Sequence, residues 1–230
     1  WKLWEVDQKI NDTGVMIDTT LVQNAIKCNT DYSQKLEDKA VKLTRLENPN
    51  SVEQLKEWLS RQGVEVESLD KKTVSRLIEE TKNNTIRQVL QIRQELAKTS
   101  VKKYRAMERA VCKDNRVRGL LQFYGANRTG RWAGRLVQVQ NLPRNDLADL
   151  GTARDLLKEG RFETLELLFD SVSAVLSQLI RTAFIPAPGH RLIISDFSAI
   201  EARVVAWLAG EKWRLEVFKT HGKIYEASAS

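Results

Sequence analysis

A chain of 230 residues that is 42% apolar and 29% charged, with a net charge of +7, can bury one larger core or two small ones and is not an intrinsically disordered segment. No apolar run approaches the roughly 18 residues of a membrane span, and the start lacks the charged and then apolar stretch of a signal peptide. Two cysteines, Cys28 and Cys112, make no disulfide framework and two histidines give no metal-ligand spacing, so the default compartment is a reducing cytoplasm.

The first half reads as a series of helices. After a break at Thr13-Gly14, the segment Val15 to Ala25 leads into a helix through Leu21 and Ile26, with Asp18 or Thr19 as its cap. Helical signal continues over residues 31–46, with Tyr32, Leu36, Val41 and Leu43 among the charges. Pro49-Asn50-Ser51 breaks the chain, and Ser51 with Gln54 resembles a capping box for a helix bearing Val52, Leu55, Trp58 and Leu59. Gly63 ends that helix, Ser68 to Glu80 forms another, and a long one is expected from about Thr85 to Cys112. Past the turn at Lys113-Asp114-Asn115, Val117 to Tyr124 reads as a strand and residues 125–145 as an ordered loop. Asp146 to Phe184 is again helical, Pro186 to Gly189 forces a turn, Arg191 to Ser195 reads as a short buried strand, and Ser198 to Ala209 as a helix. No internal repeat or low-complexity tract interrupts this order. A start at Trp1 rather than Met suggests a processed product or a fragment.

Charge is unevenly placed. Between Lys98 and Arg144 there are 12 Lys and Arg against 2 acids, a net of +10, which leaves the rest of the chain at −3. So concentrated a basic stretch points to a polyanionic partner, although a solvated basic surface gives the same composition.

The sharpest local signal is Leu192-Ile193-Ile194-Ser195-Asp196-Phe197-Ser198-Ala199-Ile200-Glu201-Ala202-Arg203. A strand that delivers Asp196 at its end, with a helix following at once, holds a carboxylate where hard cations and phosphates can reach it. Two-metal phosphoryl transfer needs such acids, because the ions sit about 3.5–4 Å apart and are bridged by carboxylates. Asp196 can instead be a helix-start residue favoured by the dipole, and Ser198-x-x-Glu201 fits a capping box.

Asp196-Phe-Ser-Ala-Ile-Glu201-Ala-Arg203 resembles motif A of the family A DNA polymerases, the DNA polymerase I type, whose common form is Asp-Tyr-Ser-Gln-Ile-Glu-Leu-Arg. Upstream, Thr129-Gly130-Arg131, then eight residues, then Gln140-Asn141-Leu142-Pro143, resembles a second block of that family with its spacing kept. Gly14-Val15-x-Ile17-Asp18, Asn50-Ser51-x-x-Gln54-Leu55 and Phe184-Ile185-x-Ala187-Pro188 fit in the right order as well. The resemblance thus covers nearly the whole chain and is nearest to phage-like members.

It implies a role for each matched residue. Asp196 would be one of two metal-binding catalytic aspartates of a Mg²⁺ site, with the Phe197 carbonyl also facing a metal. Ser198, Ala199 and Ile200 would line the incoming deoxynucleoside triphosphate. Glu201 would be the steric gate that excludes a ribose 2′-OH. Arg131, Gln140 and Asn141 would reach minor-groove acceptors common to all base pairs. Lys98, Lys102, Lys103, Arg105 and Arg135 would contact the backbone of primer–template DNA.

There are departures. Phe197 stands in place of the usual Tyr, and residues 145–178 form an insertion of the kind associated with phage replicative members. The fingers helix and the hairpin bearing the second aspartate do not occur in this sequence, so the remainder of a polymerase chain is an expected partner. The expected fold is α+β, with a mainly helical thumb and an N-terminal palm-entry segment over 1–112, and the first part of an antiparallel-sheet palm, with the helical insertion, over 113–230. The function so implied is part of a DNA-templated DNA polymerase, located in the cytoplasm of a bacterial or phage-infected cell, binding DNA but inactive alone. Two rivals are a non-catalytic DNA-binding module and a single-subunit RNA polymerase fragment. Glu201 argues against the RNA enzyme, which needs a small residue beside the 2′-OH.

Overall fold

The computed structural model describes residues 1–229. Backbone contacts divide it into two units, residues 1–190 and residues from Arg191 onward.

The first unit opens with α1 (Lys2–Thr13), which the sequence did not announce. Gly14 then turns the chain at φ 60°, and a Cβ there would strike the Val117 carbonyl, so both conformation and space demand glycine. Val15–Ile17, ahead of the expected cap, forms β1, the centre of a three-stranded antiparallel sheet. Its neighbours are β2 (Arg116–Val117) and, far along the chain, the short closing strand Phe184–Ile185. Asp18 follows as the N-cap of α2 (Thr19–Thr44), accepting the Leu21 N–H at 3.1 Å.

α2 runs unbroken for 26 residues, about 39 Å, and joins two cores. Beyond it, α3 (Val52–Arg61) is capped by Ser51, but Gln54 does not complete the box, because its side chain accepts from the Asn48 N–H instead. α4 (Lys71–Glu80) and α5 (Asn84–Leu96) finish the smaller core, built on Leu55, Trp58, Leu59, Val74, Ile86 and Leu90. The single long helix expected from Thr85 to Cys112 is two, α5 and α6 (Val101–Ala110). The break has a packing cause. Ile86, Val89 and Leu90 face the smaller core, whereas Tyr104 and Met107 face the larger one.

After β2, the expected strand to Tyr124 is interrupted at Gly119, and the expected loop contains a hairpin of β3 (Leu121–Ala126) and β4 (Arg131–Gly134). A 3-10 turn at Val139–Asn141 follows. The region read as an insertion folds into α7 (Leu150–Lys158), α8 (Phe162–Leu168) and most of α9 (Val172–Leu179), and β5, the closing strand, follows it. These helices bury Leu156, Leu157, Leu165 and Leu176 in the same core as Leu21 and Tyr104, so core packing crosses position 112. Asp18 secures the contact, with Arg154 at 2.8 Å and Lys158 at 2.9 Å. Burial alone would raise the Asp18 carboxyl, but the Lys158 hydrogen bond, the Leu21 N–H and the two cations outweigh it and hold the group below its ordinary value.

The second unit contains α10 (Ile200–Leu208), α11 (Lys212–Thr220) and α12 (Ile224–Ala229). The strand expected at Arg191 to Ser195 is absent, and Ile193 and Ile194 are 82% and 89% exposed. A strand is held by hydrogen bonds to a neighbour, and no strand among the described residues pairs with this segment. The fold class is α+β with short antiparallel sheets, as expected. No helix of the described residues is long and apolar enough to cross a membrane.

Candidate nucleic-acid interface and acidic junction

In the first unit, Thr129-Gly130-Arg131 forms the turn of the β3–β4 hairpin. The Thr129 and Gly130 N–H groups both donate to the Ala126 carbonyl, at 3.0 and 2.9 Å. Gly130 is at φ 67°, and a Cβ on it would overlap the ring of Tyr124, which therefore lies over the turn. Arg131 leaves this turn as the first residue of β4, exposed to solvent.

From Gly134 the chain curls back through Leu136 and Gln138, both left-handed, and is anchored by fully buried Val137. This brings Gln140 against Gly134, where a Cβ would collide with the glutamine side chain. Gly134 is three residues from Arg131, about 10 Å along the strand. Gln140 therefore lies on the Gly134 side of β4 and Arg131 leaves from the other side, with Gln140 and Asn141 exposed and Leu142 buried. Two cations outside the turn hold it. Lys103 donates to the Val137 carbonyl at 2.6 Å, and Arg181 donates to the carbonyls of Pro143 and Leu142 at 3.1 and 3.0 Å. Arg181 was not singled out in the sequence; its only signal is a lone cation three residues before Phe184-Ile185.

The basic residues divide by what they touch. Lys102, Arg105 and Arg135 are exposed. Lys98 contacts Glu95 at 2.6 Å and Ser171 at 2.9 Å, and burial pulls the Lys103 ammonium below its ordinary range. A cleft of about 290 Å³ lies among Lys98, Thr99, Ser100, Lys103, Asn141 and Pro143, so two of the predicted lysines and one predicted minor-groove residue share one concavity.

In the second unit, Asp196 and Phe197 lie in an exposed segment without regular structure. Ser198 and Ala199 turn the chain, Ala199 at φ 52°, and Ile200 begins α10. The N-cap is Ala199 without a side-chain hydrogen bond, so the capping box expected from Ser198 and Glu201 does not start this helix. Arg203 organises the turn instead. Its Nε donates to the Ser198 carbonyl at 2.8 Å, and its guanidinium lies 4.5 Å from the Phe218 ring centre. Asp196 supplies the hard oxygen that Mg²⁺ takes, but no group of three acidic, His or Cys side chains among the described residues can hold a metal. One carboxylate and a backbone carbonyl do not make a two-metal site.

A family model described as DNA polymerase family A matches residues 20–230. A protein named DNA polymerase from Bacillus phage SP02 is 65% identical over 229 residues, covering all of this chain and 35% of the relative. DNA polymerase I A, chloroplastic, of Oryza sativa subsp. japonica is 29% identical over 122 residues, 53% of this chain and 9% of that protein. DNA polymerase I of Lactococcus lactis subsp. lactis is 31% identical over 78 residues, 33% of this chain and 9% of that protein. The chain therefore spans about a third, or much less, of the length of these relatives.

Proposed function

Because the chain belongs to DNA polymerase family A, we propose that it is part of an enzyme that extends a DNA primer on a template. In this reading the 3′ hydroxyl of the primer attacks the α-phosphate of a deoxynucleoside triphosphate and pyrophosphate leaves. Mg²⁺, when bound, supplies the charge that stabilises the attacking and leaving oxygens.

The residues of this chain take the following parts. The helical first half acts as the thumb and 113–230 as part of the palm. Lys102, Arg105 and Arg135 meet duplex phosphates, which need charge and little else. Arg131, Gln140 and Asn141 donate to purine N3 and pyrimidine O2, acceptors that every correct pair presents in the minor groove, and so they sense pairing geometry without reading sequence. Asp196 and the Phe197 carbonyl would be metal ligands. Ser198 to Ile200 would line the nucleotide, and Glu201 would stand beside its sugar. With a single metal carboxylate, the chain alone binds DNA and does not extend it.

The observation that supports the reading is that Arg131, Gln140 and Asn141, from two blocks eight residues apart, are all exposed within a segment of net charge +10. Primer–template duplexes of unrelated sequence are the test. Equal affinities, reduced together by Arg131→Ala, are expected; a strong sequence preference, or no binding at low salt, refutes the proposal.

A further inference from the structure

α1 is amphipathic in an inverted sense. Leu3, Val6 and Ile10 are exposed, whereas Asp7 is 2% exposed and Gln8 and Asn11 are half-buried. Its polar face is turned to the β3–β4 hairpin and holds both strands. Trp132 Nε1 donates to one Asp7 oxygen at 2.7 Å, and Gln8 Nε2 donates to the other at 3.0 Å. The Asn11 side chain accepts the Leu121 N–H and donates to the Leu121 carbonyl, both at 3.0 Å, as a neighbouring strand would. Arg118 Nε donates to the Asp12 carbonyl at 2.7 Å just before the hairpin.

We infer that α1 is the positioning element for Arg131, acting through the Asp7–Trp132 hydrogen bond. Successive residues of a strand face opposite sides. Trp132 is turned inward, bonded to Asp7 and edge-on to Phe123 at 5.5 Å, so Arg131 leaves β4 from the other face. A strand of four residues has little of its own to fix its rotation. The indole bond sets that rotation, and Asn11 sets the position of the paired strand. A carboxylate is the stronger acceptor for this purpose, and burial within reach of two donors keeps it from swinging to water. The inference rests on the reading of Arg131 as a DNA contact.

A double-mutant cycle on the whole chain tests it, with primer–template affinity read by fluorescence anisotropy and the melting temperature read alongside. Arg131→Ala and Asp7→Ala should each weaken binding by about tenfold, and the double variant should be no weaker than Arg131→Ala. Trp132→Phe, which keeps the ring and removes only the donor, should repeat the Asp7→Ala result and replaces it in the cycle if Asp7→Ala does not fold. Asp7→Asn, which keeps an acceptor for the indole, should restore affinity to within about twofold. Additive losses overturn the inference, as does a lowered melting temperature with unchanged affinity. If Arg131→Ala binds DNA as tightly as the parent chain, the DNA-contact reading fails and the positioning role falls with it.

Discussion

Salt dependence separates lysines that meet phosphate from lysines that hold the protein together. Lys102 and Arg105 are exposed on α6, whereas Lys103, between them, donates to the Val137 carbonyl. Each phosphate neutralised contributes about 0.9 to the slope of log K against log salt, so Lys102→Ala with Arg105→Ala should flatten that slope by about 1.8. Between 50 and 200 mM salt this changes the loss of affinity by roughly twelvefold, well above the error of an anisotropy titration. Lys103→Ala should behave differently. It removes the anchor of the loop bearing Gln140 and Asn141, so affinity falls and the melting temperature drops while the slope stays within about 0.3 of the parent. A Lys103→Ala slope change as large as that of Lys102→Ala would refute the assignment of Lys103 to Val137, and an unchanged slope in the double variant would refute the basic face.

Purified chain with Mg²⁺, deoxynucleoside triphosphates and primed template should show no extension above blank, and extension abolished by Asp196→Ala would overturn the expectation of an incomplete metal site. In a complete polymerase carrying this segment, Glu201→Ala should raise ribonucleotide incorporation by orders of magnitude, read as relative kcat/KM; unchanged sugar selectivity would refute the gate. Asp18→Asn keeps the cap and removes the charge facing Arg154 and Lys158, which should cost roughly 1–3 kcal/mol in urea unfolding at pH 7, discounted for the partial exposure of both cations. Because the folded Asp18 value lies below the unfolded one, its contribution is complete above about pH 4 and is lost as pH falls through the folded value, so the gap between parent and variant should close in acid; a gap that persists undiminished there would contradict the ion-pair account.

Local signals in the sequence were legible where they needed no distant partner. Ser51, Asp18 and Gly63 mark the helix boundaries they were expected to mark, because capping is a matter of adjacent residues. The segment 192–195 misled, because a run of Leu, Ile and Ile has strand character only when another strand bonds to it. The break between α5 and α6 was hidden for a similar reason. Both halves carry helical periodicity, and only the existence of two cores decides that they part at residues 97–100. α1 escaped notice because its apolar residues face outward and its polar ones inward, the reverse of the pattern that announces a surface helix. In the candidate interface, the two motif blocks and their order were visible in the sequence. The carbonyl contacts of Lys103 and Arg181 were not, since a cation holding a loop has the same composition as one meeting a phosphate.

The length of α2 has a mechanical consequence. One continuous helix runs from its cap at the end of β1, in the larger core, to Leu43 beside the smaller core, so it works as a lever with its fulcrum at the sheet. Tilting its base by about 5° carries the far end through about 3 Å, comparable to the rise of one residue in a strand. A tilt of α2 at the end that meets α7 would thereby be enlarged at its far end, beside the smaller core.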